Sequence, residues 1–350
     1  MKKYLTCLLL VSFYLGLSFD PIKGVAKQEP INLIDGLSYE VIYPENQKNK
    51  DLGYFDLQMS PGQEQKISLK LYNSLPKELT VEVRLNTAKT NSIGKVEYGP
   101  NESQEDSSLT NNFIEVVKGP KKVVIPPKGA KEVDLEISLP KEAVNGLIAG
   151  GIQIKPVVNS SVKEQSKKDV VVNEFAFLVG VLLRVGDTSN IKPELKLNKT
   201  YIAFKESKSH LFINISNIHP VYVEGMDIAV QLRKSNKQKV LFEYQKKGMR
   251  MAPNSMIDLP VDLSDKGMTA GDYSVQINVV SKNGGKWSWT EDFKINALEA
   301  NGLNTQLVEN KTGNKLIFLI YFLMVCIGIL VFILSYKAIK RKRMKPEKRK

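Results

Sequence analysis

The side chains able to do chemistry are few and badly placed for it. His210 and His219 are the only histidines, and no third ligand stands at a metal-binding spacing from either. His219 precedes Pro220, which favours an extended or turn backbone there. Both are read as surface or turn histidines. The only cysteines, Cys7 and Cys326, lie in apolar segments, so the polar body between them has no thiol nucleophile and no zinc-binding sulfur. Serines are plentiful, but no G-x-S-x-G elbow holds one and no glycine-rich phosphate loop occurs. Glu102 and Glu105 sit in a polar run, where solvation rather than acid–base work is expected. Gly150-Gly151 interrupts an apolar run, as glycine does at a bulge or where another backbone comes close. No catalytic residue, metal or cofactor follows from this inventory, and binding is the expected activity. Trp287 and Trp289 are the candidate ligand-contacting residues. Two apart on a strand, their rings share one face. Turned inward they fill a core; turned outward they offer a platform for a sugar ring or a protein.

The elements that would carry these residues are strands. Leu37–Tyr43, Ile67–Leu71, Leu79–Leu85 and Val133–Leu139 alternate apolar and polar residues and stop at Pro, Asn or Ser. Phe113–Val117 and Lys122–Ile125 are shorter strands, and residues 86–112 are expected to be a long polar loop around a strand near Val96–Tyr98. Leu147–Val158 and Glu174–Val185 are apolar on both faces, which predicts central strands covered on both sides. After Gly186–Pro193 a second series of strands runs from Leu195 to Ile295. Short strands at regular spacing, without an amphipathic helix, predict an all-β chain of two tandem immunoglobulin-like β-sandwiches. On strand pattern alone their border falls near residue 187.

Both ends carry a topology signal. Leu316–Tyr336 is 21 residues without a charge. As a helix at 1.5 Å per residue it reaches roughly 30 Å, the thickness of a bilayer's hydrocarbon. Tyr336 stands where the headgroup belt would be. Residues 337–350 follow with nine Lys or Arg, among them Lys340, Arg341, Lys342 and Arg343, against Glu347 alone. Such a flank stays cytoplasmic, so residues before the span face outward. The tail also suits anionic membrane lipid, at about 1 kcal/mol per cation near the surface. At the other end Lys2 and Lys3 precede an apolar core, and Gly24-Val25-Ala26 suits a signal peptidase, with cleavage after Ala26. Of the net charge of +13, the tail holds +8 and the leader +2, which leaves no basic face of the kind nucleic acid requires.

Several stretches together resemble the WxL-interacting protein family of Gram-positive bacteria: Tyr54-Phe55-Asp56-Leu57 with Pro61-Gly62, Asn145–Ile152, Phe175-Ala176-Phe177 with Val179-Gly180-Val181, Met249–Ser255, and Trp287–Thr290 with Phe293. The resemblance implies a peptidoglycan-binding domain over 32–162 and a host- or partner-binding domain over 163–300. A tether over 301–315, the transmembrane helix over 316–336 and the basic tail complete the chain. The partners it implies are peptidoglycan, secreted WxL proteins and host extracellular-matrix proteins. It carries no ligand-contacting residue onto a position of this chain. An extracytoplasmic chaperone or assembly factor for wall proteins is the first rival reading, and a wall hydrolase the second.

Overall fold

The computed structural model describes residues 36–157, 175–206, 208–235, 237–263, 268–297, 300, 321–329 and 333–334. The chain is all-β, with four principal sheets arranged around two apolar cores.

Two sheets enclose the N-terminal core. One has the order β1 (Leu37–Ile42), β3 (Glu64–Asn73), β9 (Ala130–Ser138) and β7 (Val117–Lys118). The other has the order β2 (Phe55–Met59), β11 (Phe177–Val185), β10 (Gly146–Pro156), β4 (Leu79–Thr87) and β8 (Lys122–Ile125). Strict alternation aims one face of each strand inward: Val133, Leu135 and Ile137 of β9 are buried while their neighbours are exposed. Strand β2 runs parallel to β11, the only parallel pair among the described strands, with Val181 opposite Phe55 and Val185 opposite Met59. The pair is clamped by Arg184, whose Nε and Nη2 donate to Asp56 at 2.6 and 3.2 Å. The stretch Phe113–Val116, expected as strand, is instead one helical turn, α1. Asn112 causes the difference: its side chain accepts from the Ile114 N–H and caps the turn, so the strand begins only at Val117.

The C-terminal core lies between β12 (Leu195–Lys205), β13 (Lys208–Asn217) and β16 (Ser255–Asp262) on one side. On the other stand β15 (Val240–Met251), β14 (Val223–Lys234), β17 (Gly271–Val280) and β18 (Lys286–Ile295). The sheet membership changes between Val185, the end of β11, and Leu195, the start of β12.

Strands β10 and β11 are both central, but double coverage differs between them: β10 is buried on both faces from Gly146 to Ile152, whereas the second face of β11 is covered at Leu182 and leaves Leu178 exposed and Arg184 partly so. Ile148, Ile152 and Ile154 enter the N-terminal core. The alternate residues Leu147 and Ala149, with Leu182 of β11, join a third apolar cluster completed by Val221, Tyr222 and Ala252 of the C-terminal unit. Their double-sided apolarity therefore has two causes: a core on one face and the other unit on the opposite face.

Among the described residues no helix is long and apolar enough to cross a membrane. Residues 321–329 and 333–334 are helical. The remainder of the expected span Leu316–Tyr336, the tail with Lys340–Arg343, and the cleavage site at Ala26 lie outside the described residues.

Candidate binding surfaces and the joint between the units

Residues 86–112, expected to be only a polar loop, reach across to the C-terminal unit. Two short strands, β5 (Lys89–Thr90) and β6 (Val96–Glu97), form a hairpin at the contact. Thr90 Oγ1 accepts from the Ala252 N–H at 3.0 Å and lies 2.6 Å from Ser255 Oγ. The Gly94 carbonyl accepts from the Arg250 N–H at 2.8 Å. Asp106, buried, accepts from Ser216 Oγ, and Asn254 donates to Ser108 Oγ at 3.2 Å. From β10, the Leu147 N–H donates to the Pro220 carbonyl at 2.7 Å. At the centre the Tyr98 and Tyr222 hydroxyls meet at 2.9 Å, and the Arg250 guanidinium lies 4.0 Å from the centre of the Tyr222 ring while pairing with Glu224 at 2.7 Å.

Glycine makes the close approach possible. A Cβ on Gly151 would stand 2.3 Å from the Tyr98 carbonyl oxygen, and one on Gly94 2.6 Å from the Met249 side chain. Gly94 also holds φ at 72°, a conformation that favours glycine. In the sequence the joint shows only as the double-faced apolar run Leu147–Val158, which does not say which segment covers it; the Met249–Ser255 stretch carries the family resemblance and no sign of a contact. Glu102 and Glu105 stay exposed.

Burial drives the Tyr222 phenol well above its usual 10.0, and the adjoining Tyr98 adds to the effect. Tyr201, on the three-stranded sheet, is pushed up to about 12 by burial and by its 2.5 Å hydrogen bond to Asp258. Both shifts are upward, so the stability they contribute is complete below pH 10 and is lost as the pH rises towards 12. Urea midpoints should hold below pH 10 and then fall, and Tyr201→Phe should flatten part of that fall. A constant midpoint across this range would contradict the assignment.

A groove of about 720 Å³ opens on the N-terminal unit beside β4, between that strand and residues 114–122. Val83, Leu85 and Val117 are its apolar lining, and Ile114 is 41 % exposed on its rim. Arg84, Lys118, Lys121 and Lys122 line it against Glu82 alone, a net charge of +3. Among the described residues none of the four cations forms an ion pair. Lys118 instead donates to the Ile114 carbonyl at 2.8 Å.

Trp287 and Trp289 lie on β18, opposite the buried Val279 and Ile277. Each is half-buried and packs against the C-terminal core, and the Trp287 indole donates to Glu194 at 3.1 Å. The histidines stand apart: His210 Nδ1 is 3.0 Å from the Lys208 carbonyl, and His219 Nδ1 is 2.8 Å from that of Lys192.

Two family models match consecutive parts of the chain. Residues 38–156 match the peptidoglycan-binding domain of WxL Interacting Protein, and residues 166–305 match its host-binding domain. The chain belongs to the WxL-interacting protein family. Membership supports a surface-binding role, with peptidoglycan and host or WxL proteins as the partner classes. In this WxL-interacting protein the host-binding match begins before β11, a strand that the fold places in the N-terminal unit's sheet.

No curated protein matches the chain. Among solved structures, the CupB2 chaperone of Pseudomonas aeruginosa is 12% identical, covering 67% of this chain and 95% of its own, with a TM-score of 0.26. The E. coli chaperone DraB is 11% identical over 70% of this chain and 96% of its own, with a TM-score of 0.26. The CsuC–CsuE complex of Acinetobacter baumannii is 10% identical over 58% and 86%, with a TM-score of 0.29. Likeness at this level bears on neither the architecture nor the role of this chain.

Proposed function

We propose that this WxL-interacting protein is a non-catalytic binding protein of the cell surface, anchored in the membrane by Leu316–Tyr336 and reaching into the wall. In this reading the two units are immunoglobulin-like β-sandwiches that meet near residue 187. The first binds peptidoglycan, and the second binds secreted WxL proteins or host matrix proteins. The observation that carries it is the succession of the two binding-domain families over 38–156 and 166–305. The apolar leader ending at Ala26 and the span with its basic flank support the anchoring. The hydrogen bonds of the joint support a further point: ligands of the two units would be held at a set separation rather than on a free tether.

Co-sedimentation with purified peptidoglycan, with and without secreted WxL protein, tests the reading. The full-length protein is expected to pellet with the wall polymer and to carry the WxL protein down with it. Protein that stays in the supernatant in both mixtures would sink the reading.

A further inference from the structure

The groove beside β4 is the open part of a sheet edge. Strand β8 pairs with β4 only from Leu79 to Glu82, and among the described residues β4 has no strand partner on that side beyond this point. The last rung is the Val83 N–H donating to the Lys121 carbonyl at 2.9 Å. Backbone groups along a strand repeat their direction every second residue, so Leu85 directs its N–H and C=O to the same open side. Beyond that rung Arg84–Asn86 offers about 10 Å of strand edge, at ~3.3 Å per residue.

The side chains around it sort by face in the same way. Val83 and Leu85 stand on the inward face of β4. Glu82, Arg84 and Asn86 occupy the outward face, where Lys122 stands opposite Glu82 and Lys121 and Lys118 flank the opening. A strand laid along this edge would turn alternate side chains towards Leu85 and Ile114, and the others towards Arg84 and Lys122. We propose that the open edge of β4 is a docking site for an extended acidic segment of a protein partner, which adds as a strand and alternates carboxylate and apolar side chains. The bare sheet edge selects a polypeptide, the +3 lining selects acidic residues, and the two faces set the alternation. This gives the N-terminal unit a protein partner of its own, independent of its binding peptidoglycan.

The test measures fluorescence anisotropy of a labelled peptide of alternating Glu and Val with the full-length protein. Binding is expected to weaken as salt is raised, and to weaken about tenfold or more in the double variant Arg84→Glu, Lys122→Glu. Both side chains are solvent-exposed, so far-ultraviolet circular dichroism should be unchanged. The same peptide N-methylated on alternate amides loses its rungs without any change to the protein, and should not bind. Absence of binding, equal binding of the N-methylated peptide, or equal binding by the double variant would each overturn the proposal. Displacement of the peptide by soluble peptidoglycan fragments, in a manner sensitive to the double variant, would reassign the groove to the wall polymer.

Discussion

Replacing Gly150 by alanine should destabilise the N-terminal unit by about 3 kcal/mol, the upper end of what overpacking costs. Glycine to alanine inside a strand ordinarily gains about 0.5–1 kcal/mol, so the expected sign is reversed. The cause is the Phe113 ring, which is fully buried and would lie 2.1 Å from the new Cβ. Phe113 has nowhere to retreat, because it opens the turn α1 that packs on β4 and β10. Gly180, opposite Gly151 on the neighbouring strand, is the control. A Cβ there meets Tyr54 at 3.6 Å, an ordinary contact, so Gly180→Ala should show the ordinary sign and gain about 0.5–1 kcal/mol over the parent. Phe113→Leu in the Gly150→Ala background should recover part of the loss. Urea unfolding of the four proteins reads all of this. A Gly150→Ala protein as stable as its parent would show that the ring is not where the clash requires it to be.

The second large effect belongs to the joint. Arg250→Ala removes the cation from over the Tyr222 ring, worth about 1–2 kcal/mol for a partly desolvated pair. It also removes the half-exposed pair with Glu224, worth up to ~1 kcal/mol. About 2 kcal/mol should go, and from the contact between the units rather than from either core. The expected result is therefore a change in the form of unfolding: one cooperative transition in the parent and two in the variant. Small-angle scattering should show a larger radius of gyration for the variant. Arg250→Lys should be intermediate, since an ammonium keeps the charge but loses the flat stacking surface. An unaltered scattering profile together with a single transition in Arg250→Ala would mean that the remaining contacts, at Thr90, Asp106 and Pro220, hold the units without it.

Local pattern gave the strands and the two series they form, because a side chain's face is settled by its parity along the strand. Val133, Leu135 and Ile137 needed no other information. The same rule marks Leu147–Val158 as covered on both sides, and Gly150-Gly151 within it reads as a bulge or a close approach, yet neither signal names the covering partner. The Phe113 ring on one face and the Tyr98 carbonyl on the other belong to residues 37 and 53 positions earlier in the chain. The polar composition of residues 86–112 read as solvent-facing loop, whereas Thr90 and Asp106 are buried against Ser255 and Ser216. A hydrogen bond between short polar side chains leaves no periodic trace in a sequence.

The sequence by itself determined that this is an all-β protein and placed it in its family, since alternation, composition and local motifs are properties of neighbouring residues. Only the tertiary structure decided that the polar loop and the Met249–Ser255 stretch join the two units. It alone showed that β8 stops short and leaves the edge of β4 open between basic side chains. Pairing, and the end of pairing, depend on distant segments, and no local pattern records where a partner strand gives out.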